Sequence, residues 1–303
     1  MELEGRTVTR LQALTSPLSK EWWYTGCADP SGRVYLSFHA FRMPWVDNVT
    51  FSVFDLDAGA PLTRSRKLLL SAPPHEDRTE LSGRRAGLFV DYAGSAEDGW
   101  RLHFRDADLS ADLAIRPGAP PFLRAEDQLR HRYELLSFMD ARVDGEVHVS
   151  GRSYHVDGYR GYWDHCSGTV PRRTGWHWLA VQNDDVALVS LLNYGPYPQR
   201  YTQLLRRGAD GHEWVRLDAG VTFEYVQRAK RSRWRLTGRD IDVDIEILMG
   251  SRIRERIPPL LPLAVDLTHE EFFVRAAGRV RVDHEWTPLA TAHGVLEEHR
   301  GVW

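Results

Sequence analysis

Two stretches of the chain place acidic and hydroxyl side chains among aromatic residues. The first, EWWYTGCADPSGRVYLSFHAF, contains Glu21 and His39, and the second, VDGYRGYWDHCSG, contains Tyr162, Asp164 and His165. A carboxyl group in an aromatic cavity resists ionisation, so its pKa rises and it can act as a general acid near neutral pH. The second stretch therefore suggests Asp164 as a proton donor that Tyr162 orients.

The spacing of the second stretch divides its side chains between two faces. On a strand, Tyr162 and Asp164 project to one face and Trp163 and His165 to the other, provided that no bulge intervenes. A structural role is the alternative, in which Asp164 and His165 form a buried hydrogen-bonded network that closes a barrel. Both roles fit the sequence.

Glu21 presents a similar choice, because it shares a strand face with Trp23 and a buried glutamate must be paired or neutral. Pairing with an arginine is the structural alternative. A neutral carboxyl group that donates a hydrogen bond to a substrate carbonyl is the chemical one. The candidate catalytic residues are thus Asp164, Tyr162 and Glu21.

The segment after Glu21 carries a mixed face opposite an apolar one. Residues 35, 37, 39 and 41 are Tyr, Ser, His and Phe, whereas residues 34, 36, 38 and 40 are all apolar. A single strand histidine is often structural, but a mixed face also suits a ligand cavity. We expect Glu21 and His39 on one wall of that cavity and Tyr162 and Asp164 at its opposite edge.

Aromatic residues are abundant, with 11 Trp, 11 Tyr and 11 Phe. Aromatic walls with a few polar groups suit a flat, conjugated, apolar ligand, although the same residues can fill a core. We therefore expect a hydrophobic small-molecule substrate. The candidate substrate-binding residues are Trp23, His39, Phe41, Trp163, His165, Trp178 and Tyr194.

Motifs for several other chemistries are missing from the sequence. It contains no G-x-S-x-G, phosphate-binding loop, dinucleotide fingerprint, cysteine cluster, HxH or HExxH. We therefore predict no cofactor and no metal site. The acidic row of DIDVDIEI is typical of a solvated strand face, and neither Cys27 nor Cys166 has an activating partner in sequence beyond His165.

Composition narrows the class of protein. The chain has 303 residues and a formal net charge of −3, which does not indicate binding to nucleic acid or to an anionic membrane. No apolar run is long enough for an integral membrane segment, and the N-terminus lacks an export signal. With only two cysteines, we expect a cytoplasmic protein. The oligomeric state is not specified by the sequence.

Short strand-like segments with turns between them recur along the whole chain, and helical patterning is scarce. This rhythm predicts an all-β fold of antiparallel barrels with about eight strands in each half. The expected domains are residues 1–170 and 171–303. The Pro-rich stretch from Arg116 to Arg132 is expected to form a long connection with a short helix.

Four motifs, in this order along the chain, carry a resemblance to a known family. They are Glu-Trp-Trp-Tyr at 21–24, Gly-x-x-Gly-Tyr-x-Asp-His-x-x-Gly at 158–168, Trp-x-Trp at 176–178 and Gly-Val-x-Glu at 294–297. Together they resemble the lipocalin-like superfamily of carotenoid 1,2-hydratase (hydroxyneurosporene synthase), which includes fungal decalin-forming Diels-Alderases. The resemblance implies two consecutive lipocalin-like antiparallel β-barrel domains with a ligand bound in or between them.

The resemblance also implies chemistry. In the hydratase branch a Tyr-x-Asp pair helps to protonate an isolated alkene, and it corresponds here to Tyr162 and Asp164. Two departures favour cyclisation over hydration: Cys166 and Ser167 replace the usual Asn or Gln followed by Trp, and RYELLSFMD replaces an upstream His-x-Trp. The leading hypothesis is therefore a cofactor-independent cyclase, such as a [4+2] pericyclase, for a polyene or polyketide-type intermediate. The alternatives are a carotenoid or terpenoid hydratase or acid-catalysed isomerase, and a non-catalytic binding protein for an apolar metabolite.

Overall fold

The computed structural model describes residues 19–42, 47–72, 78–128, 131–194, 198–208, 211–217, 220–228, 231–257 and 265–302. Every regular element within these ranges is a β-strand, which confirms the predicted all-β fold. None of the described residues belongs to a helix that is long and apolar enough to cross a membrane.

Twenty strands follow one another along the chain. They are β1 (Ser19–Ala28), β2 (Val34–Arg42), β3 (Asp47–Asp55), β4 (Leu62–Leu68), β5 (Arg78–Arg85), β6 (Leu88–Ser95), β7 (Gly99–Asp106), β8 (Leu109–Arg116), β9 (Phe122–Gln128), β10 (His131–Val149), β11 (Arg152–Thr169), β12 (Arg173–Gln182), β13 (Val186–Asn193), β14 (Gln199–Gly208), β15 (Gly211–Arg216), β16 (Thr222–Arg228), β17 (Arg231–Gly238), β18 (Ile241–Ile257), β19 (Val265–Val282) and β20 (Glu285–Val302).

The described residues form two compact units. Unit 1 contains those within 1–31, 36–53 and 62–170, and unit 2 contains those within 32–35, 54–61 and 171–303. Two short N-terminal segments therefore group with unit 2, although most of that unit comes from the second half of the chain.

Unit 1 is built on an antiparallel sheet of 11 strands in the order β4-β3-β2-β1-β11-β10-β8-β7-β6-β5, with β9 paired to β10. Two backbone hydrogen bonds between Ser71 and Ser82, at 2.7 and 2.8 Å, link the two ends of this order. The sheet is therefore a nearly closed barrel, in which few strand edges remain unpaired.

The core of unit 1 follows from the alternation of side chains along its strands. On β2, Leu36, Phe38 and Ala40 are buried, and the Phe38 ring lies 5.4 Å from that of Tyr92. Phe104 contributes from β7 and makes an edge contact with Phe38 at 6.2 Å. Each aromatic ring buried in this way contributes about 1.5–3 kcal/mol of hydrophobic stabilisation. The apolar face of β2 thus points into the barrel and its mixed face points away.

Unit 2 is built on a nine-stranded antiparallel sheet in the order β15-β14-β13-β12-β20-β19-β18-β17-β16. Leu188 on β13 and Leu204 on β14 join the same buried cluster as Trp234 on β17 and Val243 on β18. Residues from both ends of the strand order therefore pack together, so the sheet curls around one hydrophobic core.

The segment DIDVDIEI forms the amphipathic strand that its sequence predicts. Ile241, Val243 and Ile245 are buried in the core of unit 2. The acidic row on the opposite face is neutralised by arginines of neighbouring strands, with Asp242 2.7 Å from Arg235. Further ion pairs join Arg275 to Glu246 and Arg281 to Asp240.

The prediction of a long connection with a short helix between Arg116 and Arg132 is wrong. Residues 122–128 form β9, which pairs in antiparallel register with the first part of β10. The second part of β10 pairs with β8. Tertiary pairing with β10 thus determines the conformation of a segment whose Ala, Glu and Gln residues favour helix locally.

Candidate functional site

The β1 and β11 strands pair along their whole length and set the two faces on which the predicted site residues lie. Trp23 lies opposite His165, and Tyr24 lies opposite Asp164. Directly opposed residues of an antiparallel pair project to the same face. The register between β1 and β11 is continuous from Tyr162 to Asp164, so the predicted division of this stretch between two faces is confirmed.

We name these faces by their residues. The core face carries Thr25, Phe38 and Trp163 and points into the barrel of unit 1, where the Thr25 hydroxyl lies 2.7 Å from that of Tyr92. The opposite face of β1, β2, β10 and β11 is the acid face, which carries Tyr24, His39, Ser137, Tyr162 and Asp164.

A chain of three side chains is the central feature of the acid face. The Tyr162 hydroxyl donates to Asp164 Oδ2 at 2.7 Å, and Ser137 Oγ lies 3.0 Å from the Tyr162 hydroxyl oxygen. Ser137 lies directly opposite Asp164 across β10 and β11. All three side chains are buried. The pairing of β10 with β11 therefore brings Ser137 to the Tyr162 hydroxyl, which contacts the carboxyl group.

The environment of Asp164 favours its neutral form. Burial raises the pKa of Asp164 to about 7, and the hydrogen bond from Tyr162 and positive charge on His165 and His39 offset part of this increase. Its second oxygen, Oδ1, is buried and has no hydrogen-bond partner among the described residues. A buried polar atom of this kind costs about 1–3 kcal/mol of stability. Strongly perturbed pKa values concentrate at functional sites, which makes Asp164 a candidate.

Several aromatic rings lie on the same face as this carboxyl group. The Tyr24 ring lies 5.9 Å from that of Tyr162, and His39 meets Tyr24 edge to face at 4.6 Å. Phe41 stacks on Trp22 at 5.8 Å. Two of the predicted substrate-binding residues, His39 and Phe41, therefore share the face of Asp164.

Glu21 lies on the core face instead, completely buried between His165 and Arg42. Its carboxylate oxygens lie 2.9 Å from His165 Nε2 and 3.4 Å from Arg42 Nη1. The expectation that Glu21 and His39 share one cavity wall facing Asp164 is therefore wrong, because Glu21 and Asp164 project to opposite sides of the sheet. The contacts of Glu21 match the structural alternative, pairing with an arginine.

Three further predicted binding residues pack on the core face with Glu21. Trp163 stacks on Trp100 at 4.0 Å, and Trp23 stacks on His165 at 5.1 Å. The Arg42 guanidinium lies 6.0 Å from the Trp23 ring centroid. Within unit 1, Trp23, Trp163 and His165 thus contribute to the core.

The last two predicted binding residues belong to unit 2. Trp178 is buried on β12 opposite Glu297 of β20, and Tyr194 is 43% exposed. Near Trp178, His269 Nε2 lies 3.9 Å from Glu297 Oε1.

Both cysteines are buried and free. Burial raises the pKa of the Cys27 thiol, and burial together with the charges of Asp164 and Glu21 raises that of Cys166. Since the thiolate is the nucleophile, neither cysteine is activated for covalent catalysis.

Sequence reasoning missed two members of these networks, Ser137 and Arg42. Ser137 lies in RYELLSFMD, the stretch in which the resembling hydratases carry His-x-Trp, and alternation of side chains gave no reason to select it. The 36 arginines and three lysines of the chain gave no way to identify Arg42 as the partner of Glu21.

Comparisons with known proteins bear on the fold. The sequence matches no protein-family model. It has no significant match among curated proteins. Several solved structures are similar at low sequence identity, among them two crystal structures. One, a Nitrosomonas europaea protein provisionally designated AttH, has a TM-score of 0.62 and 16% identity over 93% of this chain and 92% of that chain.

The other is kievitone hydratase from Nectria haematococca, with a TM-score of 0.63 and 14% identity over 95% of this chain and 91% of that chain. These similarities show the fold, and they are consistent with the lipocalin-like superfamily that the motifs resemble. At such identities, function has to be argued from the site itself.

Proposed function

We propose that this protein is an acid-catalysed hydratase or isomerase of an apolar alkene, with Asp164 as the proton donor and Tyr162 as its orienting partner. The observation that carries this proposal is the buried Asp164 carboxyl group, whose pKa of about 7 keeps a substantial fraction protonated near neutral pH. A general acid works best when its pKa is near the working pH.

The hydrogen-bond chain favours one oxygen as the donor. Because Asp164 Oδ2 already accepts from Tyr162, we place the acid proton on Oδ1. After the proton leaves, Tyr162 stabilises the carboxylate, and Ser137 can donate in turn to the Tyr162 oxygen. The chain therefore supports both the neutral and the ionised state of Asp164.

The proposed hydration balances without a cofactor. Asp164 gives its proton to one alkene carbon, and the neighbouring carbon becomes cationic. Water bonds to that carbon, and the proton that water loses returns to the Asp164 carboxylate. In isomerisation, the cation loses a proton from an adjacent carbon instead. Dehydration consists of the hydration steps in reverse order.

The surroundings of the acid suggest the substrate class. Tyr24, His39 and Tyr162 present ring surfaces beside Asp164, and Trp22 and Phe41 extend the aromatic area. Aromatic surfaces bind flat or conjugated apolar molecules and stabilise nearby cations through their π-systems. A terpenoid or other conjugated alkene fits both properties. The hydratase activity named for one structural neighbour agrees with this class.

The cyclase that the sequence favoured becomes the second candidate, and it is supported by the RYELLSFMD and Cys166-Ser167 departures from the hydratase branch. In a [4+2] reaction, Asp164 would polarise a substrate carbonyl through a hydrogen bond, and catalysis would come mainly from holding the reactive conformer. No proton would be transferred to carbon.

Isotope incorporation separates these reactions. Apolar compounds extracted from the purified protein are identified by mass spectrometry and returned to it in oxygen-18 water or in deuterium oxide. Hydration adds one oxygen-18 atom and one deuterium on carbon, isomerisation adds deuterium alone, and cyclisation adds neither. Stoichiometric binding with no conversion would identify a binding protein.

The Asp164→Asn variant supplies the matched test of the acid. Asn keeps the size and the acceptor for Tyr162 but has no acidic proton, so we expect turnover to fall by about 10²–10⁴-fold. Asp112→Asn, which changes a half-exposed carboxyl group in the same unit, is the control and should retain activity. Undiminished label incorporation by Asp164→Asn would contradict the proposal.

A further inference from the structure

A cluster of aromatic rings surrounds one histidine on the inward face of unit 2. His177 on β12 lies 4.7 Å from the ring of Trp234, 5.6 Å from that of Phe223 and 5.2 Å from that of Tyr194. Tyr225 adds an edge contact to Trp234 at 5.4 Å. These five residues are the His177 cluster.

His177 is held in a neutral and poorly satisfied state. Burial, with a smaller effect of the Arg300 charge, lowers the pKa of His177 to about 4. Its Nδ1 atom is buried and has no hydrogen-bond partner among the described residues. A neutral imidazole has one accepting nitrogen and one N–H donor. Phe at this position would pack against the same rings without the cost of an unsatisfied polar atom.

The cluster lies where the inner face of the sheet meets solvent. Tyr225 lies directly opposite Trp234 on neighbouring strands and so shares its face, yet Tyr225 is 51% exposed and Trp234 only 7%. The His177 ring is itself partly exposed. A large inward-facing ring that is half exposed marks an accessible end of the hydrophobic core.

The Tyr194 ring is fixed at the edge of this opening. It covers Gly175, where a Cβ atom would come within 2.3 Å of the ring, and its hydroxyl donates to the His299 carbonyl at 3.2 Å. Only glycine therefore allows the ring to lie there, and the hydrogen bond holds it in place. An ordered aromatic wall binds a ligand with little loss of side-chain entropy.

We propose that the His177 cluster is a binding site for a planar, uncharged aromatic molecule that carries a hydroxyl group. The rings of Tyr194, Tyr225 and Trp234 supply apolar area and stacking. The neutral His177 imidazole accepts a hydrogen bond that the ligand hydroxyl group donates. Pockets of this kind combine mainly aromatic walls with a single polar group that sets orientation. The proposal concerns unit 2 alone and does not depend on Asp164.

Calorimetric titration with 2-naphthol and with 2-methoxynaphthalene tests this site, because the second probe keeps the rings but cannot donate a hydrogen bond. We expect saturable, one-to-one binding of 2-naphthol and at least about tenfold weaker binding of the ether, which corresponds to about 1.4 kcal/mol. His177→Phe should abolish this difference between the probes. Tyr225→Leu should weaken the binding of both.

Trp286→Leu is the matched control, since Trp286 is another exposed aromatic residue of unit 2 and stacks under Arg279 instead. It should leave both affinities unchanged. Asp164→Asn should also bind 2-naphthol normally, which keeps this test separate from the test of the acid. The site is refuted if the wild-type protein shows no saturable 2-naphthol binding, or if folded His177→Phe keeps the preference for the hydroxyl probe.

Discussion

Asp164 and Glu21 show how the same residue chemistry leads to different roles on the two faces of one sheet. Asp164 has hydroxyl neighbours that do not neutralise it, whereas Glu21 lies between Arg42 and His165. Burial without a salt bridge raises the pKa of the first carboxyl group.

The first prediction concerns the pH dependence of stability. The pKa of Asp164 is about 7 in the folded protein and about 3.9 in an unfolded chain, so the folded state binds the extra proton between these values. Stability from this group is complete below about pH 4 and is lost as the pH rises through 7. Relative to wild type, Asp164→Asn should gain up to about 4 kcal/mol between pH 4 and pH 8.

Urea unfolding of the two proteins across this range measures the difference directly. A wild-type-minus-variant stability that does not change with pH would show that folding does not raise the pKa of Asp164.

The second prediction concerns Tyr162. Its hydrogen bond lowers the pKa of Asp164, so Tyr162→Phe should raise that pKa and move the loss of stability to higher pH. The same unfolding series measures this shift. Tyr92→Phe, which removes a buried hydroxyl from the core face, is the control and should leave the pH of this stability loss unchanged. A shift in the opposite direction would mean that Tyr162 does not donate to Asp164.

The third prediction concerns Glu21. Removing its charge leaves Arg42 charged and buried, with a side chain only 1% exposed, so Glu21→Gln should cost about 3–5 kcal/mol. Replacing both partners in Glu21→Gln/Arg42→Met should recover part of this loss, which denaturant unfolding can measure. A stable Glu21→Gln variant with reduced turnover would instead support a catalytic role.

Strand alternation made much of the element scale predictable. It assigned Ile241, Val243 and Ile245 to the core and placed Tyr162 and Asp164 on one face, because side chains on a regular strand alternate. It could not assign β9, because the conformation of this strand depends on its pairing with several residues of β10. Local propensity is a weak guide where such long-range pairing decides the structure.

The fourth prediction belongs to a bulge in β10. The strand register shifts between Val143 and Gly145, where Gly145 has a φ of +139° and an added Cβ would lie 2.0 Å from the Asp112 carbonyl oxygen. Gly145→Ala should therefore cost about 3 kcal/mol or more, from backbone strain and from displacement of β8.

Gly59→Ala is the matched control for this contact. Gly59 also has a positive φ of +74°, but an added Cβ would meet nothing within 4 Å. Gly59→Ala should therefore lose only the stability that the positive φ costs an alanine, about 1 kcal/mol. If urea unfolding shows equal losses of stability in the two variants, the close approach of Gly145 to β8 does not contribute to the cost.

At the scale of the whole molecule, the sequence motifs predicted the lipocalin-like fold better than they predicted the site. EWWY and the Tyr-x-Asp-His segment lie on neighbouring strands, so the pairing of β1 with β11 brings them together. Which side of the sheet each residue faces, and which of many arginines pairs with Glu21, depend on the closed barrel. Asp164 and Tyr162 share the acid face with Ser137 and His39, whereas Glu21, Trp23, Trp163 and His165 belong to the core face.

The central claim is that burial keeps Asp164 partly protonated near neutral pH, and its own titration tests this most directly. Carbon-13 NMR of protein labelled at the aspartate side-chain carboxyl groups, with Asp164→Asn to assign the resonance, follows the group as the pH changes. We predict a midpoint near pH 7. A resonance that titrates near pH 4, as for an ordinary aspartate, would contradict the assignment of Asp164 as the proton donor.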